Sequence, residues 1–164
     1  YCEIFKMPSD LNKQDVTILG ILQKDASKTS SEIAETLHMS QSPCWRRINR
    51  IEQDGLIQKK VAILDREKLG MELVTFTTVN LTNVGRQNLE EFEDAMRNLP
   101  EVVECYTMTG VWDYMLKIVT RSIRHYESFV RENLVSLPMV GETHSHIAVT
   151  EIKNTTELPL DTQL

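Results

Sequence analysis

SQSPCWRRINRIEQDGLI, residues 40–57, places three arginines, a tryptophan and a cysteine within seven residues, opens on a serine and closes just after a glycine. Cys44, Ile48 and Ile51 recur at spacings of four and three, the period of one helix face. Ser40 predicts an N-cap, and Pro43 is tolerated in the first turn, where its missing amide hydrogen has no internal partner to lose. Gly55 predicts the stop. Such a helix seats itself on the Cys/Ile stripe and leaves Gln41, Ser42, Arg46, Asn49 and Arg50 outward, with Arg47 at the boundary. Trp45 is expected to pack against neighbouring helices, with an edge that contacts the DNA backbone as the alternative.

Working outward, Val16, Leu19 and Leu22, thickened by Ile18, predict a helix from about Leu11 with Asn12 as its cap and Asp15 in its first turn. SSEIAETL, residues 30–37, predicts a second helix of about two turns, capped by Ser30. Three short helices with tight connections, the third rich in Arg and Asn, have the helix-turn-helix form. In that form the third helix would enter the DNA major groove and offer guanidinium and amide groups to phosphates and base edges, the alternative being a merely solvated arginine face. Lys59 and Lys60 follow, and LIQKKVAILD reads as a small hairpin or wing leading to a linker.

The second half has another rhythm. MELVTFTTVNL (71–81) is rich in Val and Thr and predicts a strand. Residues 86–98 return to helical spacing, 102–109 and 113–120 predict a hairpin around Gly110, 123–137 a helix and 142–152 a last strand. The order βαββαβ is the ferredoxin-like unit, with two helices on one face of its sheet. Apolar side chains on the other face predict a homodimer that buries it.

Charge divides at the same place. The chain has a net charge of -6, but residues 1–62 hold nine Lys/Arg against eight Asp/Glu, net +1, whereas residues 63–164 hold nine against sixteen, net -7. A locally basic surface binds phosphate even on an acidic chain. With 41% hydrophobic and 26% charged residues the composition excludes long disorder. No apolar run approaches the roughly 18 residues of a membrane span, and YCEIFKMPSD lacks the features of a secretory signal. Cys2, Cys44 and Cys105 have neither framework nor metal-ligand spacing, so Cys44 and Cys105 are expected to be small buried residues. Acidic pairs such as Glu90/Glu93 and Glu101/Glu104 lie on expected solvated faces, without a converging catalytic constellation.

LNKQDVTILGILQKDASKTSSEIAETLHMSQSPCWRRINRIEQDGLIQ, the VAILDREKLG junction, the TGVWDYMLKI segment and the closing EIKNTTELPL together resemble the Lrp/AsnC (leucine-responsive/asparagine-responsive, feast/famine) transcriptional regulators, from Leu11 to about Leu160. The resemblance implies an α+β chain: an N-terminal winged helix-turn-helix domain followed by a ferredoxin-like βαββαβ ligand-sensing domain. Expected boundaries are 11–62 for the DNA-binding domain, 63–70 for a linker, 71–155 for the effector-binding and oligomerisation domain and 156–164 for a tail. It implies DNA contacts at Gln41, Ser42, Arg46, Arg47, Asn49 and Arg50. It also implies an amino-acid pocket between dimers, built around Gly110, Val111, Trp112, Asp113 and Tyr114 of the family's G-D-x-D-Y hairpin, with Thr143 nearby. Val111 stands where aspartate is usual, which implies a pocket that binds a different amino acid, binds weakly, or binds none. Read from the residues alone, Asp113 accepts either from an amino-acid ammonium or from turn amides. His144 and His146 share a strand face without evident metal partners.

The expected protein is a cytoplasmic, nucleoid-associated regulator of a bacterium or archaeon that binds double-stranded DNA and responds to a small metabolite. It works as a homodimer assembling to a tetramer or octamer, with no covalent cofactor, metal, membrane association or catalytic residues. The alternatives are a nonspecific architectural DNA-binding protein and an amino-acid-binding scaffold without gene-specific regulation.

Overall fold

A computed structural model describes residues 11–83 and 85–160. Cys2, the opening YCEIFKMPSD segment and the last four residues of the expected tail lie outside the described residues. The chain divides into two compact units, one holding residues up to Ala62 together with the segment from Lys153, the other Ile63–Ile152. Among the described residues no helix is long and apolar enough to cross a membrane.

The first unit contains α1 (Lys13–Leu22), α2 (Ser30–Thr36) and α3 (Gln41–Gln53). Asn12 caps α1 in a capping box with Asp15, as its sequence position predicts. The cap of α2 is Thr29 rather than Ser30, because Glu32 lies three residues beyond Thr29 and the two exchange backbone-to-side-chain hydrogen bonds. Ser40 sits at the N-cap of α3, although its side chain makes no capping bond. The turn between α2 and α3 passes through His38 in the left-handed region at φ 51°. Ile18, Ile33, Ala34, Cys44, Ile48 and Ile51 form the core. Residues 57–65, expected as a hairpin or wing leading to a linker, form no strand ladder.

The described end of the chain returns to this unit. The Gln23 side-chain amide donates to the Leu158 carbonyl at 3.1 Å and accepts from the Leu158 amide at 3.0 Å. Part of the expected tail is therefore hydrogen-bonded to the residue that ends α1.

The second unit is an antiparallel sheet of β1 (Leu73–Leu81), β2 (Val102–Thr107), β3 (Tyr114–Thr120) and β4 (Val140–Ile147), ordered β2-β3-β1-β4. Helices α4 (Arg86–Asn98) and α5 (Ile123–Phe129) connect them. α5 is shorter than expected because residues 130–134 widen into a π turn, in which the Val135 amide bonds the Val130 carbonyl five residues back. β4 starts at Val140 and stops at Ile147, short of the expected 152; beyond the Thr75–Ile147 pair one further bond, from the Ala148 amide to the Val74 carbonyl at 2.9 Å, extends towards the start of β1.

Register assigns the faces. Val79, Leu81, Tyr114, Leu116 and Ile118 join Phe92, Met96, Tyr126, Phe129 and Leu134 in the core beneath the helices. Tyr126 pins α5 to the sheet, its hydroxyl 2.7 Å from the Thr77 hydroxyl and donating to Ser145. The opposite face carries Phe76, Thr78, Tyr106, Met115, Lys117, Val119, His144 and His146. Phe76 and Tyr106 are exposed there. Cys44 is buried as expected, and burial pushes its thiol pKa up. Cys105, expected to be buried, is exposed because β2 is an edge strand.

Candidate functional site

Helix α3 divides its surface by period. Cys44, Ile48 and Ile51 face inward and are buried. Pro43, Arg46, Arg47 and Arg50 follow the i, i+3, i+4, i+7 rule and line one concavity of about 330 Å3. Ser42, Trp45 and Asn49 make a neighbouring stripe, with Gln41 exposed at the helix start. Trp45 is 55% exposed, which removes packing against the neighbouring helices and leaves the outward-edge alternative, since one position on from buried Cys44 it lies off the seating stripe.

The arginines differ in what holds them. Arg47 Nη1 lies 2.9 Å from Asp15 Oδ1, and Arg50 Nη2 lies 2.6 Å from Asp15 Oδ2. Asp15 is fully buried and also accepts from the Asn12 amide at 3.1 Å. Arg46 is exposed and forms no ion pair among the described residues. Sequence periodicity placed Asp15 at a helix N-terminus but held no sign of its two guanidinium partners, which lie 32 and 35 residues away. Lys60, counted as part of the basic surface, pairs with Glu52 at 2.6 Å.

The hairpin between β2 and β3 is tied to β1. Gly110 has φ 107°, a conformation that favours glycine, and Val111 is 81% exposed beside it. Asp113 donates its amide to the Val79 carbonyl at 3.1 Å and to Asn80 Oδ1 at 3.0 Å, while its Oδ2 accepts from the Leu81 amide at 2.8 Å. These bonds fall at the register shift between Asn80 and Leu81. Trp112 packs on His144 with ring centroids 4.6 Å apart, and His144 Nε2 lies 3.0 Å from Glu142. Thr143 pairs with Val79 and therefore points to the helix-covered face, opposite Glu142 and His144. The hairpin thus gathers Gly110, Val111, Trp112 and Asp113, whereas Thr143 belongs to the other side of β4.

A cleft of about 490 Å3 lies elsewhere, between α4 and edge strand β2, with Glu93, Arg97, Cys105 and Tyr114 in its lining. Burial and a hydrogen bond to Glu93 push the Tyr114 hydroxyl pKa up to about 12, and the hydroxyl donates to that carboxylate at 3.1 Å. Of the expected effector hairpin Tyr114 lines this cleft, whereas Gly110, Val111, Trp112, Asp113 and Thr143 do not.

Comparison with known proteins bears on both units. Residues 11–58 match the winged helix-turn-helix DNA-binding family model, and residues 74–158 match the Lrp/AsnC ligand binding domain. Transcriptional regulator AzlB of Bacillus subtilis is 33% identical over 92% of this chain and 96% of its own length. The DNA-binding transcriptional activator DecR of Escherichia coli is 31% identical over 92% of this chain and 99% of its own length. The transcriptional regulator NMB0573 of Neisseria meningitidis, solved as an L-Met complex, superposes with a TM-score of 0.90 at 33% identity, covering 94% of this chain and 99% of that one. A helix-turn-helix DNA-binding domain and a ligand-binding domain thus stand in one chain. The chain belongs to the Lrp/AsnC family of DNA-binding transcriptional regulators.

Proposed function

We infer that α3 reads a specific operator through Gln41, Ser42 and Asn49 and holds the DNA backbone through Arg46, Arg47 and Arg50. The observation that carries this reading is the division of α3 into a buried seating stripe and an outward polar stripe flanked by an arginine-lined concavity. Amides and hydroxyls discriminate base edges, whereas guanidiniums on phosphates add sequence-independent, salt-sensitive affinity. Substituting Asn49 or Gln41 by alanine should relax operator preference by about 1–3 kcal/mol per lost base contact, and Arg46→Ala should weaken operator and random DNA alike. Gel-shift titrations at matched salt separate the two. Equal affinity of the unaltered protein for operator and random duplex would replace this reading by nonspecific, architectural binding.

The second unit responds to an amino acid at the Gly110, Val111, Trp112 and Asp113 hairpin; Thr143, on the helix-covered face of β4, is left out of that site. The L-Met complex of the similar Neisseria protein and the arrangement of the hairpin support this assignment. A thermal-shift screen of the full chain against the twenty amino acids should single out one or a few that raise the melting temperature, and a flat screen discards amino-acid sensing. Phe76, Tyr106 and Met115 on the uncovered sheet face support a homodimer, assembling to a tetramer or octamer, which light scattering after size exclusion would measure. The regulator acts in the cytoplasm on the nucleoid and carries no catalytic role or covalent cofactor. Its domains run 11–62 and 71–155, joined by 63–70 and followed by a tail from 156.

A further inference from the structure

Three arginines on one helical stripe repel one another, and each long side chain has many rotamers to lose on binding. Asp15 answers both difficulties from a position fully removed from solvent. Its two oxygens hold Arg47 and Arg50 separately, at 2.9 and 2.6 Å, so neither guanidinium is free to swing. The carboxylate is itself fixed by the Asn12 amide and by its place in the capping box of α1. A guanidinium carries five N–H donors, and the bond to Asp15 leaves donors on Arg47 and Arg50 for another partner. Both side chains keep solvent access, 28% and 43% exposed, and with Arg46 and Pro43 they line the concavity of about 330 Å3. Three positive charges against one negative leave the cluster with an excess of two.

We propose that Asp15 is a positioning residue that presets Arg47 and Arg50, with Arg46, as a cradle for one backbone phosphate of DNA. The proposal rests on the reading of α3 as the DNA-facing helix and assigns its arginines to the backbone, leaving base recognition to the neighbouring stripe. The ordering of two arginine side chains takes place when the first unit folds, so the phosphate meets donors already aimed. Asp15 also subtracts one charge from the surface. Its loss therefore lowers phosphate selectivity without lowering electrostatic attraction, which distinguishes positioning from simple charge.

The test uses the full chain and a duplex it selects from a random-sequence pool. Phosphates of that duplex are replaced singly by uncharged methylphosphonates, and dissociation constants are measured over a salt series. With the unaltered protein, one replacement in each half-site should weaken binding about tenfold, the loss of hydrogen bonds to a charged group. Asp15→Asn retains an acceptor for the Asn12 amide but loses the ion pairs. In that variant the same replacement should cost less than about threefold, while the salt dependence stays as steep or steepens. Arg46→Ala should also reduce the penalty, but with a shallower salt dependence. An undiminished penalty in Asp15→Asn would show a merely structural ion pair and overturn the proposal. If Asp15→Asn fails to fold by circular dichroism, the double variant Arg47→Lys/Arg50→Lys keeps charge and loses the guanidinium fork. A retained tenfold penalty there overturns the cradle equally. Failure of the unaltered protein to bind any duplex, selected or random, would overturn the DNA-facing reading of α3 and the cradle with it, an outcome distinct from loss of the cradle alone.

Discussion

The recognition helix α3 and the Gly110–Tyr114 hairpin each contain charged groups that sequence reading assigned to an external partner, and each spends those groups internally. Arg47 and Arg50 bind Asp15, and Asp113 binds the Leu81 amide. The consequences differ because the groups differ. A guanidinium has five donors and gives up only part of its capacity, so an internal bond orients what remains. Asp113 has two acceptor oxygens, and one of them already holds β1 at its register shift. Internal pairing thus prepares α3 for a ligand, while in the hairpin it makes the fold itself depend on a candidate ligand residue.

The comparison breaks most readily through the seat of α3. Ile51 is fully buried, and Ile51→Ala should cost about 2–5 kcal/mol, lowering the melting temperature and operator binding while amino-acid-induced shifts of the second unit persist. Loss of the amino-acid response at the same time would mean that the two units do not fold separately.

A smaller effect tests the hairpin. Asp113→Ala leaves the Leu81 amide without its carboxylate and should destabilise the second unit by about 1–3 kcal/mol in denaturant titration, with faster hydrogen exchange at Leu81. Asp113→Asn, which still offers a carbonyl acceptor, should recover part of that stability. If Asp113→Ala changes effector affinity alone, the carboxylate belongs to the ligand and the contrast with α3 disappears.

Gly20 lies inside α1, and an added methyl meets no atom within 4 Å. Gly20→Ala should therefore stabilise the first unit by roughly 0.5–1 kcal/mol without altering operator choice. A change in operator choice would show that the scaffold beneath Asp15 tunes the arginines more delicately than fixed ion pairs allow.

The smallest effect is a pH dependence confined to the second unit. A hydrogen bond from Lys117 is the largest influence on Glu104 and holds its carboxyl below the ordinary value of 4.5. A folded-state pKa below the unfolded one stabilises the protein above the unfolded value, and that stabilisation fades as the pH falls through the folded value. Glu104→Gln should accordingly be slightly less stable than the unaltered chain at pH 7, with the difference shrinking below pH 4.5. A difference independent of pH would assign the effect to packing. Glu104 is solvated enough for the effect to remain small.

The sequence by itself determined the element order and most element boundaries. Helix α4 occupies the expected residues 86–98, and the buried stripe of α3 is the one its spacing requires. Periodicity is a local property: which face of a helix or strand is apolar depends on residues a few positions apart. It also isolated Gln41, Ser42, Arg46, Asn49 and Arg50 as an outward set, and Gly110 as a turn residue. Contacts between distant segments were decided only by tertiary structure. Asp15 read as a first-turn carboxylate, Trp45 as either packed or turned to a DNA backbone, and Asp113 as an acceptor for either of two donors, because nothing near them in the chain names a partner. Folding brought Asp15 beneath two arginines, left Trp45 exposed, and set Asp113 against a shifted register in β1. The physical reason is that a charged group's role depends on which opposite charge or unpaired amide it meets, and that meeting is fixed by packing across tens of residues rather than by period.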